Sequence, residues 1–415
     1  MPDSPVVTGR RPAVGFIFIT LVLIVLGFGI IIPVLPGLVT EFEGGSAAQG
    51  AHSYGWLIGT FALVQFISAP ILGALSDRFG RRKIILIALA GSAIDYVVMG
   101  FAPSLGWLFV ARMVSGMTAG AFATCNAYIA DVTPPEKRAQ GFGLAGAAFG
   151  IGFAIGPAIG GALGNSNLRL PFFVAAGCVG LNWLYGALVL PESLPPEKRR
   201  TFEWKRANPL GSLLNLRRIH GIALFGAMHF IYMLAHTMLQ SIWVLYTSYR
   251  FNWSPRQIGL SLMVVGIMTI LVQGRLVGPI LRKTGEARGL LLGLSTTALV
   301  FTCYGLATSG WMMYVIICLG SFGGLAGPAA QALITKRVPP TEQGAVQGAL
   351  GGLQSLAGVL APPVAAWSFA AGIGPQSQFH PPGLAFFEAA ALTLVALAIA
   401  SRAVRSGVAA PPVKV

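Results

Sequence analysis

Four ionisable side chains, Asp95, Arg112, Arg275 and Glu388, lie inside stretches of sequence that are otherwise almost wholly apolar. A charge at the centre of a membrane-spanning helix costs about 2.5–3.5 kcal/mol, so each is a candidate for handling protons or charged ligands. Asp95 is about eight residues from the end of its stretch and Arg112 about six from the facing end of the next, so at 1.5 Å rise per residue their depths differ by about 3 Å and they can pair. Burial disfavours the charged form of a carboxyl group while a neighbouring cation favours it. A carboxyl group held between those effects and facing a cavity suits reversible proton binding. Glu388, early in the last stretch, is either a second titrating group or a rim residue reached by water. Arg275 either meets an anionic group or extends its cation to the membrane surface. His229 and His236 stand two turns apart on one helical face without an acid nearby, which favours hydrogen bonding or a cavity-lining role for His236 over a metal site.

Helices must position these groups. The chain has 415 residues, 55% hydrophobic and only 10% charged, against about 25% charged in an ordinary soluble domain. Apolar stretches recur at roughly 13–38, 52–76, 83–103, 106–130, 140–164, 168–190, 220–248, 257–281, 287–308, 311–336, 343–370 and 382–403, each long enough to cross a hydrocarbon core of about 30 Å. Lipid admits only helices or closed barrels, and these stretches are too long and too evenly apolar for barrel strands. The sequence predicts an all-α membrane protein of about twelve transmembrane helices.

The formal charge of +15 raises the question of nucleic acid. Its placement answers it. With a cytoplasmic amino terminus, Arg10, Arg11, Arg78, Arg81, Arg82, Lys83, Lys137, Arg138, Lys198, Arg199, Arg200, Lys205, Arg206, Arg217, Arg218, Arg282, Lys283, Arg288, Lys336, Arg337, Arg402, Arg405 and Lys414 all fall inside, and only Arg169, Arg250 and Arg256 outside. That bias is the positive-inside rule, and it puts both termini in the cytoplasm. Cys125, Cys178, Cys303 and Cys318 all lie in spans and suggest neither disulfides nor a zinc site. Arg10-Arg11 precedes an apolar run too long for a signal peptide, hence an uncleaved first helix.

The longest polar break, 191–219, begins PESLPPEKRRTFEWKR. We expect a cytoplasmic linker there between an amino-terminal half, 1–190, and a carboxy-terminal half, 220–415. GALSDRFGRRK after the second span has a degraded echo, GPILRKTGEAR, after the eighth. Repeated halves place a substrate site between them near the bilayer midplane.

Within Gly73-Ala-Leu-Ser-Asp77-Arg78-Phe-Gly80-Arg81-Arg82-Lys83, Gly73 allows close approach of another helix and Gly80 a tight turn. Asp77 and Arg81 offer charges that can pair differently in two conformations. The segment resembles the loop motif between helices two and three of the major facilitator superfamily. That resemblance implies two pseudo-symmetric six-helix halves, with Asp131 as third member of an inner gate latch. Span five carries Gly150-Ile-Gly152-Phe-Ala-Ile-Gly156-Pro157-Ala-Ile-Gly160-Gly161. Small residues at this spacing let helices pack backbone to backbone, and Pro157 bends the helix. The stretch resembles the fifth-helix motif of drug antiporters, which symporters usually lack.

The resemblance narrows to the tetracycline-resistance family of drug:proton antiporters. It runs through PVLPGL, ALVQFISAPILGALSDRFGRRK, IDYVVMGF, IADVT, WVLY and EQGAVQG. It implies substrate contacts at Gln65 and Gln273, polar cavity positions at Gln331 and Gln347, an essential acid at Asp95 and its arginine at Arg112. Ile24, Thr269 and Thr297 stand where the metal–tetracycline exporters carry an acid, a histidine and an acid. The expectation is therefore a proton-coupled exporter of a small amphipathic drug other than the magnesium–tetracycline complex, multi-pass in the inner membrane. It should work as a monomer, without cofactor, metal or nucleic acid. The competing reading on the same fold is an uptake symporter or facilitator for a small metabolite. An enzyme would need a nucleophile–base pair, metal cluster or phosphate loop, and the sequence offers none.

Overall fold

The computed structural model describes residues 14–134, 137–201, 223–339, 342–374 and 381–405. The expected positions of Arg10, Arg11, Lys205, Arg206, Arg217, Arg218 and Lys414, and most of the linker 191–219, lie outside them.

All twelve expected stretches form helices, and no strand occurs among the described residues. They are α1 (Val14–Phe42), α2 (Ala47–Phe79), α3 (Arg81–Phe101), α4 (Leu105–Val132), α5 (Arg138–Gly164), α6 (Leu170–Leu188), α7 (Ala223–Phe251), α8 (Pro255–Thr284), α9 (Glu286–Leu306), α10 (Gly310–Thr335), α11 (Gln343–Ile373) and α12 (Leu384–Arg405). Eleven are long and apolar enough to cross a membrane. The other, α7, has 29 residues but carries His229, His236, Thr237 and Gln240, which lower its apolar character. Several helices outrun the apolar stretches: α2 has 33 residues, about 50 Å at 1.5 Å per residue, so its ends project beyond the hydrocarbon.

Local chemistry sets the breaks. Ser254 caps α8 in a reciprocal box with Gln257, and Pro255 occupies the first helical turn, where its missing N–H costs nothing. Gly80, at φ +100°, and Gly285, at φ +79°, let α2 turn directly into α3 and α8 into α9. Pro157 lies inside α5, Pro70 inside α2, and Pro362 and Pro363 inside α11. A π-helical turn, Val272–Leu276, interrupts α8, and a 3-10 turn, Ser321–Leu325, interrupts α10.

Packing repeats with a shift of six helices. In the first half α1 packs on α5 and α6, α3 on α6, and α2 on α4; in the second α7 packs on α11 and α12, α9 on α12, and α8 on α10. Between halves the main contacts are α5 with α8 and α2 with α11, which the same shift exchanges. The result is two pseudo-symmetric six-helix halves related by a pseudo-two-fold axis.

The halves meet at one end and part at the other. A Cβ on Gly59 of α2 would lie 3.0 Å from Pro363 of α11, and one on Gly266 of α8 would lie 2.7 Å from the Ala154 Cα of α5. The same sides of these helices continue, about two to four turns further on, through Gly73, Gly351 and Gly348, and through Gly143, Gly146, Gly274 and Gly278. A Cβ on any of these would meet nothing within 4 Å. The parted end is the one bearing the basic residues 78–83, 282–288 and 336–337. The molecule is thus a V, with a cleft opening at its basic end.

Candidate functional site

Asp95 and Arg112 meet on α3 and α4. Arg112 Nη2 donates to Asp95 Oδ2 at 3.0 Å, and Ser115 Oγ donates to the same oxygen at 2.6 Å. Asp95 is 1% and Arg112 2% exposed. The guanidinium also lies 5.4 Å from the Phe61 ring of α2, a favourable cation–π arrangement. Asp95 Oδ1 and Arg112 Nε have no partner. The pairing that the matched depths of the two residues allowed is made here, with both side chains buried. An acid with one oxygen fixed and one free can accept a proton without first losing a hydrogen bond.

Glu388 lies early in α12, half-buried, and accepts a hydrogen bond from Ser368 of α11 at 2.5 Å. It is at the closed end of the V, far along the helix from the basic end.

At the basic end Arg81 is held by three groups. It pairs with Asp77 at 2.6 Å and Asp131 at 3.0 Å, and its Nη1 donates to Ser76 Oγ at 2.6 Å. Ser193 Oγ donates to Asp131 Oδ2 at 3.1 Å. Sequence reasoning missed Glu192, whose carboxylate accepts from the backbone N–H of Arg81 at 2.8 Å and of Arg82 at 3.3 Å. An acid at the exposed N–H groups of a helix start is stabilised by the helix dipole, so Glu192 fastens the segment after α6 to the start of α3. Arg82 donates in turn to the carbonyls of Gly186 and Ala187, at the end of α6. Asp77→Asn removes one of Arg81's two carboxylates while leaving the basic residues in place. It should leave membrane insertion normal and reduce transport at least about tenfold, a loss of roughly 1.4 kcal/mol in the rate-limiting rearrangement. Wild-type transport at normal expression would reduce this cluster to a structural turn.

A Cβ on Gly73 would meet nothing within 4 Å, so the close helix approach expected there is not made in this structure. Gly156 packs on α1, where a Cβ would lie 2.7 Å from the Leu26 carbonyl oxygen and 3.0 Å from the Gly29 Cα. A second face of α5, with Gly150, Ala154, Pro157 and Gly161, meets α8. Gln65 on α2 is half-buried, while Gln273, Gln331 and Gln347 are exposed on α8, α10 and α11. Gln273 lies in the π-helical turn, and its amide faces Gly324 in the 3-10 turn of α10. Helix irregularities of this kind recur at functional sites. His236, half-buried, stacks on Tyr232 with ring centroids 6.1 Å apart. Among the described residues no group of His, Cys, Asp and Glu has the arrangement of a metal site.

Ile24, Thr269 and Thr297 carry no charge, and both threonine hydroxyls are bonded within their own helices, Thr269 to the Val265 carbonyl and Thr297 to the Gly293 carbonyl, each at 2.8 Å.

Twelve helices in two exchanged halves, a cleft between them and a buried acid–base pair define a multi-pass membrane transporter. The Major Facilitator Superfamily model matches residues 17–362 and 225–413. Tetracycline resistance protein class C of Escherichia coli is 39% identical over 378 residues, 91% of this chain and 93% of that one. The class G protein of Vibrio anguillarum is 36% identical, covering 81% and 85%. The crystal structure of the human organic anion transporter MFSD10 is similar with a TM-score of 0.70 at 26% identity, covering 94% of this chain and all of that one. The chain belongs to the Major Facilitator Superfamily and, within it, to the family of the tetracycline resistance proteins.

Proposed function

We propose that the protein is a proton-coupled exporter of small amphipathic drugs, lying in the cell inner membrane with its basic end and both termini in the cytoplasm and working as a monomer. The observation that carries this reading is the buried Asp95–Arg112–Ser115 cluster beside the cleft of a protein in this family. Protonation of Asp95 releases Arg112, and loss of the proton restores the pair; alternation between these states, linked to opening and closing of the V, exchanges a proton for a drug. The chain divides into an amino-terminal half, 1–190, a linker, 191–219, and a carboxy-terminal half, 220–415. Gln65, His236, Gln273, Gln331 and Gln347 contact the drug, and Asp77, Arg81 and Asp131 gate the basic end with Gly73, Gly80, Gly156 and Pro157 shaping the moving helices. Glu388 is a second acid available to protons from the closed end.

The uncharged Ile24, Thr269 and Thr297 disfavour a cationic metal complex, since nothing at those positions offsets the lost hydration of the ion. A neutral or lipophilic amphiphile suits them. Expression in an exporter-deficient host, tested against a drug panel with and without an uncoupler, should reveal uncoupler-sensitive resistance to such compounds. Everted vesicles should take up tetracycline weakly and without magnesium dependence; strong magnesium-dependent uptake would overturn the substrate assignment.

A further inference from the structure

The sequence left Arg275 two roles, and its surroundings choose between them. Leu260, Ile267, Leu271, Arg275, Pro279 and Lys283 follow one another at intervals of seven or four residues along one side of α8, and all six are exposed. At 3.6 residues per turn a four-residue spacing drifts by about 40° per step. The wider π-helical turn, Val272–Leu276, takes up part of that drift and keeps the stripe on its side. Val272 and Val277 turn inward instead, buried with Leu325 of α10. Gln273, whose amide faces Gly324 of α10, is two residues from Arg275 and so about half a circle away.

The stripe is on the outer surface of the molecule. Leu260 and Ile267 are level with Gly259 and Gly266, where α8 touches α5 and the cleft is shut, yet they are 38% and 42% exposed. Apolar side chains exposed there face lipid. Arg275 shares their side, about 13 Å along α8 from its last residue, Thr284, at 1.5 Å per residue. Among the described residues its guanidinium has no hydrogen-bond or ion-pair partner, and neither do the side chains of Arg282 and Lys283 in the last turn. The nearest acid along the chain, Glu286, is paired with Lys336. A cation on the lipid side of a span needs polar atoms supplied by the membrane itself.

We propose that Arg275, Arg282 and Lys283 form a site for an anionic phospholipid of the leaflet at the basic end, its phosphate held by Arg275 and its acyl chains lying along Leu271 and Ile267. A guanidinium takes a phosphate through two parallel N–H donors, and cations beside a span attract anionic headgroups. Three cations without an acid among them disfavour a zwitterionic lipid, whose own cation would meet Arg282 and Lys283.

The test is native mass spectrometry of the purified full chain in detergent, titrated with phosphatidylglycerol or with phosphatidylcholine of the same chains. The first phosphatidylglycerol should bind about tenfold more tightly than the first phosphatidylcholine, and Arg275→Leu should remove that preference. Arg282→Gln with Lys283→Gln should weaken phosphatidylglycerol about threefold, since each cation adds to the attraction. Arg402→Gln, which removes an exposed cation at the same end of the molecule on α12, should change neither affinity. Inorganic phosphate should not displace the lipid; displacement would make this a site for a free anion. Equal affinities for the two lipids, or an undiminished preference in Arg275→Leu, would overturn the site. The latter result joined to a loss of resistance to an anionic drug would assign Arg275 to the drug.

Discussion

Asp95→Asn should abolish gradient-driven export while leaving a folded protein that still binds drug. The replacement keeps an oxygen to accept from Arg112 and Ser115, at present 3.0 and 2.6 Å from Asp95 Oδ2, but it cannot take up and release a proton. Removing one partner of a buried ion pair costs about 3–5 kcal/mol when the remaining charge is left bare; here the amide oxygen and the Phe61 ring retain contacts to Arg112. The double variant Asp95→Asn/Arg112→Gln removes the stranded charge and serves as the folding control. Both should lose accumulation by about a hundredfold or more, the scale on which a catalytic proton-transfer group contributes. Ser115→Ala should do much less, because it removes one neutral donor and leaves the charges paired. If Asp95→Asn accumulates drug like the wild type, the coupling acid lies elsewhere, and Glu388→Gln is the next variant to measure.

Gly156→Leu should prevent a stable fold. A side chain there would run into the Leu26 carbonyl oxygen at 2.7 Å and the Gly29 Cα at 3.0 Å. Both are backbone atoms and cannot swing aside. Overpacking in a well-packed core costs about 1–3 kcal/mol, and more where backbones must separate. Gly146→Leu offers the contrast on the same helix. It lies on the α8-facing side of α5, with nothing within 4 Å of a Cβ, so the open form should accommodate it. A leucine there would instead obstruct the closing of α5 onto α8. Gly156→Leu is therefore expected to lose monodisperse protein in detergent, and Gly146→Leu to keep it while transporting slowly. A stable, fully active Gly156→Leu would show that α1 and α5 separate more readily than their packing indicates.

The helices were legible because lipid permits so little else: a long apolar run has one secondary structure available. The Asp95–Arg112 pair was legible from depth alone, since both residues sit at similar distances from neighbouring helix ends. Ser115 was not, because a serine in an apolar run is equally at home bonded to its own helix. Glu192 escaped for a different reason. It binds α3 from 111 residues away in the chain, and nothing local to PESLPPEK distinguishes a helix cap from a solvated turn. The glycines of α5 announced close packing, yet not against which helix; Gly156 and Gly161 stand about 140° apart around it, and only the fold assigns Gly156 to α1 and Gly161 to α8.

The central claim is exchange of a proton for a drug across a membrane. Its most direct test uses purified protein in proteoliposomes with an acidic interior and a pH-sensitive fluorophore inside, the drug being one to which expression confers uncoupler-sensitive resistance. Added outside, the drug should accumulate within and collapse the pH gradient, in wild type but not in Asp95→Asn. Accumulation that leaves the gradient intact, or that runs in the same direction as the protons, would contradict the account.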